Sequence, residues 1–241
     1  MTWNNTLLLT SAISVDEKMF GHKTIPQGIR VQQYVDTLIF YITKSFFTHI
    51  VFCDGTNYDM VNINFLQNLA KIYNKKIEFL SFQQDISLVL SKGKWYGENK
   101  IIEYAVQNSQ FIVDSHSRYK ITGRYIILNI NKIIAYEEDI HNAFFRTSLL
   151  DRQNCNTAFF KTTTPFFVDH LQWAGEEVND MRWKYNYLEH IYYRRLSWKG
   201  IACFHELPQF DWVAWWWWSL KLSLLLTITK EMLNKVWLHR L

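Results

Sequence analysis

A chain of 241 residues with 49% hydrophobic and 20% charged content is long enough to bury a sizeable core and too apolar to remain disordered. Its net charge of +4 lacks the dense basic clustering of a nucleic-acid binder, so no nucleic-acid partner is expected. The three cysteines, Cys53, Cys155 and Cys203, have no metal-like spacing and cannot all pair within one chain, which favours a reducing compartment.

No positively charged leader precedes the first apolar run, so no signal peptide is expected. Thr6 to Ile13 reads as a buried parallel strand that ends in small polar residues. Arg30 to Phe47 carries Val31, Tyr34, Val35, Leu38, Ile39 and Ile42 at helical spacing. His49 to Cys53 follows as a second strand, stopped by Asp54-Gly55. Phe65 to Tyr73 reads as a helix, Lys76 to Phe82 as a strand and Glu98 to Asn108 as a helix. Phe111-Ile112-Val113 and Ile126 to Ile130 are further strand candidates.

This alternation predicts an α/β fold with a mostly parallel sheet and helices on both faces. Such sheets bind ligands at the carboxyl ends of their strands. After residue 135 the pattern loosens into Ala143 to Leu150, Asn156 to Lys161, and helices from Phe166 and from about Met181 to Leu196. One domain over residues 1–211 is expected, with a nucleotide-binding half (1–135) and an acceptor-facing half (136–211).

Residues 212–241 form a separate segment. Trp215-Trp216-Trp217-Trp218 cannot all face one core, and Trp favours the water–lipid boundary. Ser219, Ser223, Thr227, Lys230 and Asn234 recur at helical spacing as one polar stripe. An amphipathic helix lying in a membrane interface is expected, the alternatives being a helix packed on the domain or a dimer contact. Lys221 interrupts the run that a membrane span would need.

Several stretches suggest a polar ligand. Thr10, Ser11 and Ala12 end the first strand, where small residues let a nucleoside approach the backbone. Asp54 ends the second strand, where a carboxylate can accept from a ribose or base, the alternative being an Asx-turn that caps the loop. Lys92 to Glu98 reads as a loop leading into a helix, with Lys94, Tyr96 and Glu98 as ligand contacts and the helix start as an anion site. Its spacing is not that of a Walker loop.

In Tyr119 to Tyr125, Lys120 and Arg124 flank a turn of Thr122 and Gly123. Cations there can neutralise a leaving diphosphate where carboxylate-bound Mg²⁺ or Mn²⁺ would otherwise do so. Arg adds a planar fork for phosphate oxygens. No cofactor is expected. For a general base, Glu177 is the first choice, with Asp180 and Glu189 behind it. The eight histidines form no HExxH, and no nucleophile elbow supports a hydrolase.

In order of features the chain resembles bacterial surface-polysaccharide glycosyltransferases with a GT-A-like fold, those that build O-antigen, capsule or lipooligosaccharide. The matching pieces are Leu7-Leu8-Leu9-Thr10-Ser11-Ala12, the Arg30 to Tyr34 helix start, Phe52-Cys53-Asp54-Gly55, Lys94 to Glu98 and Tyr119 to Tyr125. Gly175-Glu176-Glu177 is similar to the Gly-Glu-Asp region in which inverting members carry their base. The resemblance implies a hexosyltransferase-like enzyme with a nucleotide-sugar donor, Arg30 included in its binding half, and a saccharide or lipid-linked acceptor. It further implies a location on the cytoplasmic face of a bacterial inner membrane. The family's Asp-X-Asp signature is missing, with Thr122-Gly123-Arg124 in its place, so metal-independent transfer is expected. A sugar nucleotidyltransferase and a non-catalytic membrane-associated scaffold are the alternatives.

Overall fold

A computed structural model describes residues 5–15, 25–60, 62–145, 153–180, 186–197, 199 and 201–211. In chain order the elements are β1 (Thr6–Ser11), α1 (Gln27–Lys44), β2 (His49–Asp54), α2 (Ile63–Ile72), β3 (Lys76–Ser81), α3 (Ile86–Lys92) and α4 (Lys94–Asn108). They continue with α5 (Gln110–Val113), β4 (Arg118–Thr122), β5 (Ile126–Ile127), α6 (Ile130–Tyr136), β6 (Ala143–Phe144) and β7 (Phe159–Thr162). The remaining elements are α7 (Thr164–His170), α8 (Ala174–Glu177), α9 (Leu188–Leu196), β8 (Ala202–Cys203) and β9 (Phe210–Asp211).

The main sheet runs β3-β2-β1-β4-β7-β6-β8. β3, β2, β1 and β4 are parallel to one another, β7 is antiparallel to both its neighbours, and β8 runs parallel to β6. The expected α/β class, a mostly parallel sheet flanked by helices, is the one observed. β1 lies at its centre, and all six of its residues are buried, as a strand covered on both faces requires.

Strand alternation divides the interior into two cores. Leu7, Leu9, Ile50, Phe52, Tyr119, Ile121 and Phe159 face one side, with Tyr34, Leu38, Tyr41 and Ile42 of α1. Leu8, Val51, Cys53 and Phe160 face the other, with Ile101, Ile102 and Ala105 of α4 and Leu188, Ile191 and Tyr192 of α9. Fully burying one such side chain contributes roughly 1.5–3 kcal/mol, so α1 and α4 are fixed by which rows of the strands they cover. Cys53, Cys155 and Cys203 are all free thiols.

The structure corrects several boundaries. Phe111-Ile112-Val113 is a single helical turn, because the Ser109 hydroxyl accepts from Ile112 N (3.2 Å) and caps it. The Gln110 amide supports the turn by donating to Asp114 (2.8 Å). Only Ile126–Ile127 of the next candidate is a strand. The Asn129 side chain ends it by bonding Leu207 O (2.9 Å) and Gln209 N (2.8 Å), and Ile130 begins α6.

Lys92 to Glu98 is not a loop: Gly93 alone separates α3 from α4, at φ 102°, a value that suits glycine. Lys94, Tyr96 and Glu98 are therefore helical. Lys120 lies inside β4, not in a turn. The helix expected from Met181 begins at Leu188 among the described residues. The tryptophan-rich segment 212–241, with its expected interfacial helix, lies outside the described residues. Among the described residues no helix is long and apolar enough to cross a membrane.

Candidate functional site

The carboxyl ends of β1, β2 and β4 bring most of the sequence-predicted residues into one region, where they divide into two kinds. The first is saturated by the protein itself. Asp54 is buried, and its Oδ1 accepts from the Ser11 hydroxyl (3.0 Å) and Ile13 N (3.0 Å). Its Oδ2 accepts from Thr56 N (2.8 Å), the Thr56 hydroxyl (2.7 Å) and Tyr58 N (3.1 Å). These five bonds fill the lone pairs of both oxygens. Asp54 and Ser11 thus tie the loop after β1 to the loop after β2 and leave little capacity for a nucleoside.

A second group, whose charges pair within the protein, lies where β4 meets α4. Lys120 alternates onto the α4 face and is fully buried, where an apolar side chain would be ordinary. Its ammonium bonds Glu98 Oε1, the Thr122 hydroxyl (3.0 Å) and Thr157 O (2.7 Å). Glu98 Oε1 also accepts from the hydroxyls of Thr10 (2.7 Å) and Thr122 (3.1 Å). Burial pushes the Glu98 carboxyl up, but the Lys120 charge and these hydrogen bonds more than reverse it, leaving it below the usual range. Burial holds the Lys120 ammonium below its ordinary value against the pull of Glu98. The pair cancels its own charge, so Lys120 is no spare cation for a diphosphate.

Arg30 and Arg124 behave differently. Arg30 Nη1 donates to Ala12 O (3.2 Å), and Arg124 Nη1 reaches only Gln33 Oε1 (3.5 Å). The buried Nε of Arg124 has no hydrogen-bond partner. Neither guanidinium has a carboxylate partner among the described residues. Burial lowers the Arg30 pKa, and the charge of Arg124 lowers it further, so the two cations lie within mutual repulsion.

Tyr34, one helical turn after Arg30, fixes the loop by accepting from Ala12 N at its hydroxyl (3.2 Å). Gly123 allows the Arg124 turn to approach β1: its N donates to Thr10 O (2.8 Å), and a Cβ there would lie 2.7 Å from that oxygen. Two guanidiniums within electrostatic range of each other and without an acid partner among the described residues make a local excess of positive charge.

The carboxylates are placed less as the sequence suggested. Glu177 is exposed and held by Arg195, whose Nε donates to Oε1 (2.9 Å) and whose Nη1 holds His170 O (3.0 Å). Arg194 approaches its other oxygen (3.5 Å). That is a surface tie between α8 and α9, not a free base.

Asp180 accepts from Trp95 N (3.2 Å) at the start of α4, its Oδ1 is buried without a partner, and burial pushes it up to about 6. Glu189, on α9, accepts from the Thr157 hydroxyl (3.2 Å), and burial pushes it up to about 7. Lys94 lies within electrostatic range of both. The phenol of Tyr125 is raised by burial and feels Arg124, Glu98 and Glu189 together.

Tyr96 is on another face of α4, its ring beside Lys92 (4.9 Å) and Lys100 (5.5 Å). Gln33, Tyr34, Tyr125 and Thr157 were not among the site residues expected from the sequence. Tyr34 was the legible one, since i and i+4 share a helix face. Among the described residues no group of three or more His, Cys, Asp or Glu is placed to hold a metal ion.

No family model and no curated protein matches the chain. Among solved structures it is similar to a chain from Desulfovibrio desulfuricans G20 whose own assignment as a nucleotide-diphospho-sugar transferase is provisional. The TM-score is 0.46 at 8% identity, over 83% of this chain and 78% of the other. The site above therefore stands on this chain's own residues.

Proposed function

We propose that the protein is a glycosyltransferase that moves a sugar from a nucleoside diphosphate to an acceptor hydroxyl. The observation that carries this reading is the Arg30–Arg124 pair, two guanidiniums without an acid partner among the described residues, at the carboxyl end of a central parallel strand. Thr10, Ser11 and Ala12 shape the adjoining loop through backbone and internal hydrogen bonds, so the nucleoside meets that loop's main chain and not Asp54. The arginines replace Lys120 and Arg124 as the diphosphate pair.

In the reaction the acceptor oxygen attacks the anomeric carbon and the bond from that carbon to the phosphate oxygen breaks. Its electron pair stays on the diphosphate, where Arg30 and Arg124 stabilise the growing charge. Glu189 takes the acceptor proton. A carboxyl raised to about 7 is basic enough to accept a proton and is about half ionised at neutral pH. Asp180, accepting from Trp95 N, holds the start of α4 in place.

Transfer with inversion, without a metal, and on surface polysaccharide at the inner face of a bacterial inner membrane belongs to the same proposal. It is supported by the arginine pair and by the resemblance in feature order. The test is a screen of nucleotide-sugar donors for thermal stabilisation and for sugar transfer, with and without EDTA. Stabilisation by at least one nucleoside diphosphate, unchanged by EDTA, is expected. A chain stabilised by none, or one that releases pyrophosphate from a nucleoside triphosphate, contradicts the assignment.

A further inference from the structure

The face of α4 opposite Glu98 lines a cleft. Tyr96, Lys100, Glu103 and Gln107 follow at helical spacing and form one stripe, which faces the Phe82 to Asp85 segment after edge strand β3. Between them is a cleft of about 220 Å³. It is smaller than the roughly 300–1,000 Å³ of ordinary small-molecule pockets, so it takes a single ring and not a nucleotide-sugar.

Its lining is specific in chemistry. Phe82 and Tyr104 stack at 4.1 Å with planes 12° apart and make one aromatic wall. Lys100 is committed to Glu103 (2.8 Å) and Glu176 (2.8 Å), so the cleft offers no spare cation to a phosphate. The Gln84 amide nitrogen is held by Gly97 O (2.9 Å). Asp85 uses Oδ1 to cap α3, accepting from Ser87 N (2.9 Å) and Leu88 N (3.2 Å). Among the described residues, Asp85 Oδ2, the Gln84 amide oxygen and the whole Gln107 amide have no protein partner.

Amide and carboxylate groups beside an aromatic wall match the hydroxyls and apolar ring face of an uncharged sugar. We propose that this cleft is a saccharide subsite that holds one neutral sugar residue of the acceptor glycan. Its role in acceptor binding rests on the glycosyltransferase reading, whereas its capacity to bind a sugar ring does not. The subsite fixes the acceptor chain at the β3 edge, away from the arginine pair, and so favours acceptors longer than a monosaccharide.

The experiment is saturation-transfer NMR on the full-length protein with methyl glycosides of glucose, galactose and N-acetylglucosamine and their disaccharides. It is run on the native chain, Gln107→Ala and Tyr104→Ala, beside UDP, GDP, CDP and ADP thermal shifts. At least one glycoside is expected to receive transfer from aromatic protons, with binding weakened about tenfold or more in both variants, a loss of about 1.4 kcal/mol. The nucleoside diphosphate shift should be unchanged in them. Gln107 is exposed, so its variant tests the cleft even if Tyr104→Ala misfolds. No glycoside contact, or equal contact in Gln107→Ala, overturns the subsite whatever the nucleotides do. Loss of nucleotide binding alone overturns the donor reading and leaves the subsite standing.

Discussion

Two charged groups at the same end of the sheet use similar residues to opposite ends. Lys120 and Glu98 form a closed set in which every charge meets a partner inside the protein. Arg30 and Arg124 form an open set, two like charges whose acceptors among the described residues are neutral oxygens. A buried ion pair costs desolvation that good geometry must offset, so the closed set organises β1, β4 and α4. The open set is held against its own repulsion by the fold, and under the proposed function a bound diphosphate would relieve that repulsion. Charge type alone does not mark a site; charge without a partner does.

The largest expected effect sharpens the role of the proposed base. Glu189→Gln should lower turnover by ~10²–10⁴-fold with nucleoside diphosphate binding intact, and native turnover should climb with pH to a plateau above about 7. The folded carboxyl is raised above its ordinary 4.5. Its contribution to stability is therefore full below about 4.5 and lost as pH rises through about 7, a slope that the Gln variant should lack in denaturant midpoints measured across that range.

Breaking the closed set comes next. Lys120→Met leaves Glu98 without its cation and should cost ~3 kcal/mol in urea unfolding, at the low end because the Glu98 side chain is 16% exposed. Glu98→Gln together with Lys120→Met should recover most of that loss. Arg124→Ala should do the reverse, cutting turnover by about 100-fold or more with little loss of stability. The smallest effect is expected at Glu177→Ala: near-native turnover and at most ~1 kcal/mol of destabilisation, since its partners are surface arginines. A large loss of turnover there would restore Glu177 as the base.

The fold was legible because strands such as Leu7-Leu8-Leu9 and Ile50-Val51-Phe52 carry an unbroken apolar signal, and α1 and α4 carry a clear helical one. α3 was missed although Asp85 before Ser87 is an ordinary capping arrangement, because Gly93 drew attention as part of a loop. Of the site, Arg124 and Arg30 were visible as residue types but not as a pair, since 94 positions separate them and only the β1–β4 pairing joins them. Lys120 was misjudged for the same reason. Its partner Glu98 lies on a different element, and whether a cation is spent or free depends on tertiary contacts.

The open pair can be tested directly by comparing the Tm shift produced by nucleoside diphosphates in the native protein and in Arg30→Ala/Arg124→Ala. A ligand that binds the folded state at 100 times its Kd should stabilise by about 2.7 kcal/mol. The account predicts a shift in the native chain that falls with added salt and is absent from the double variant, whose unliganded Tm is unchanged or higher once the repulsion is gone. An equal shift in both proteins would contradict it.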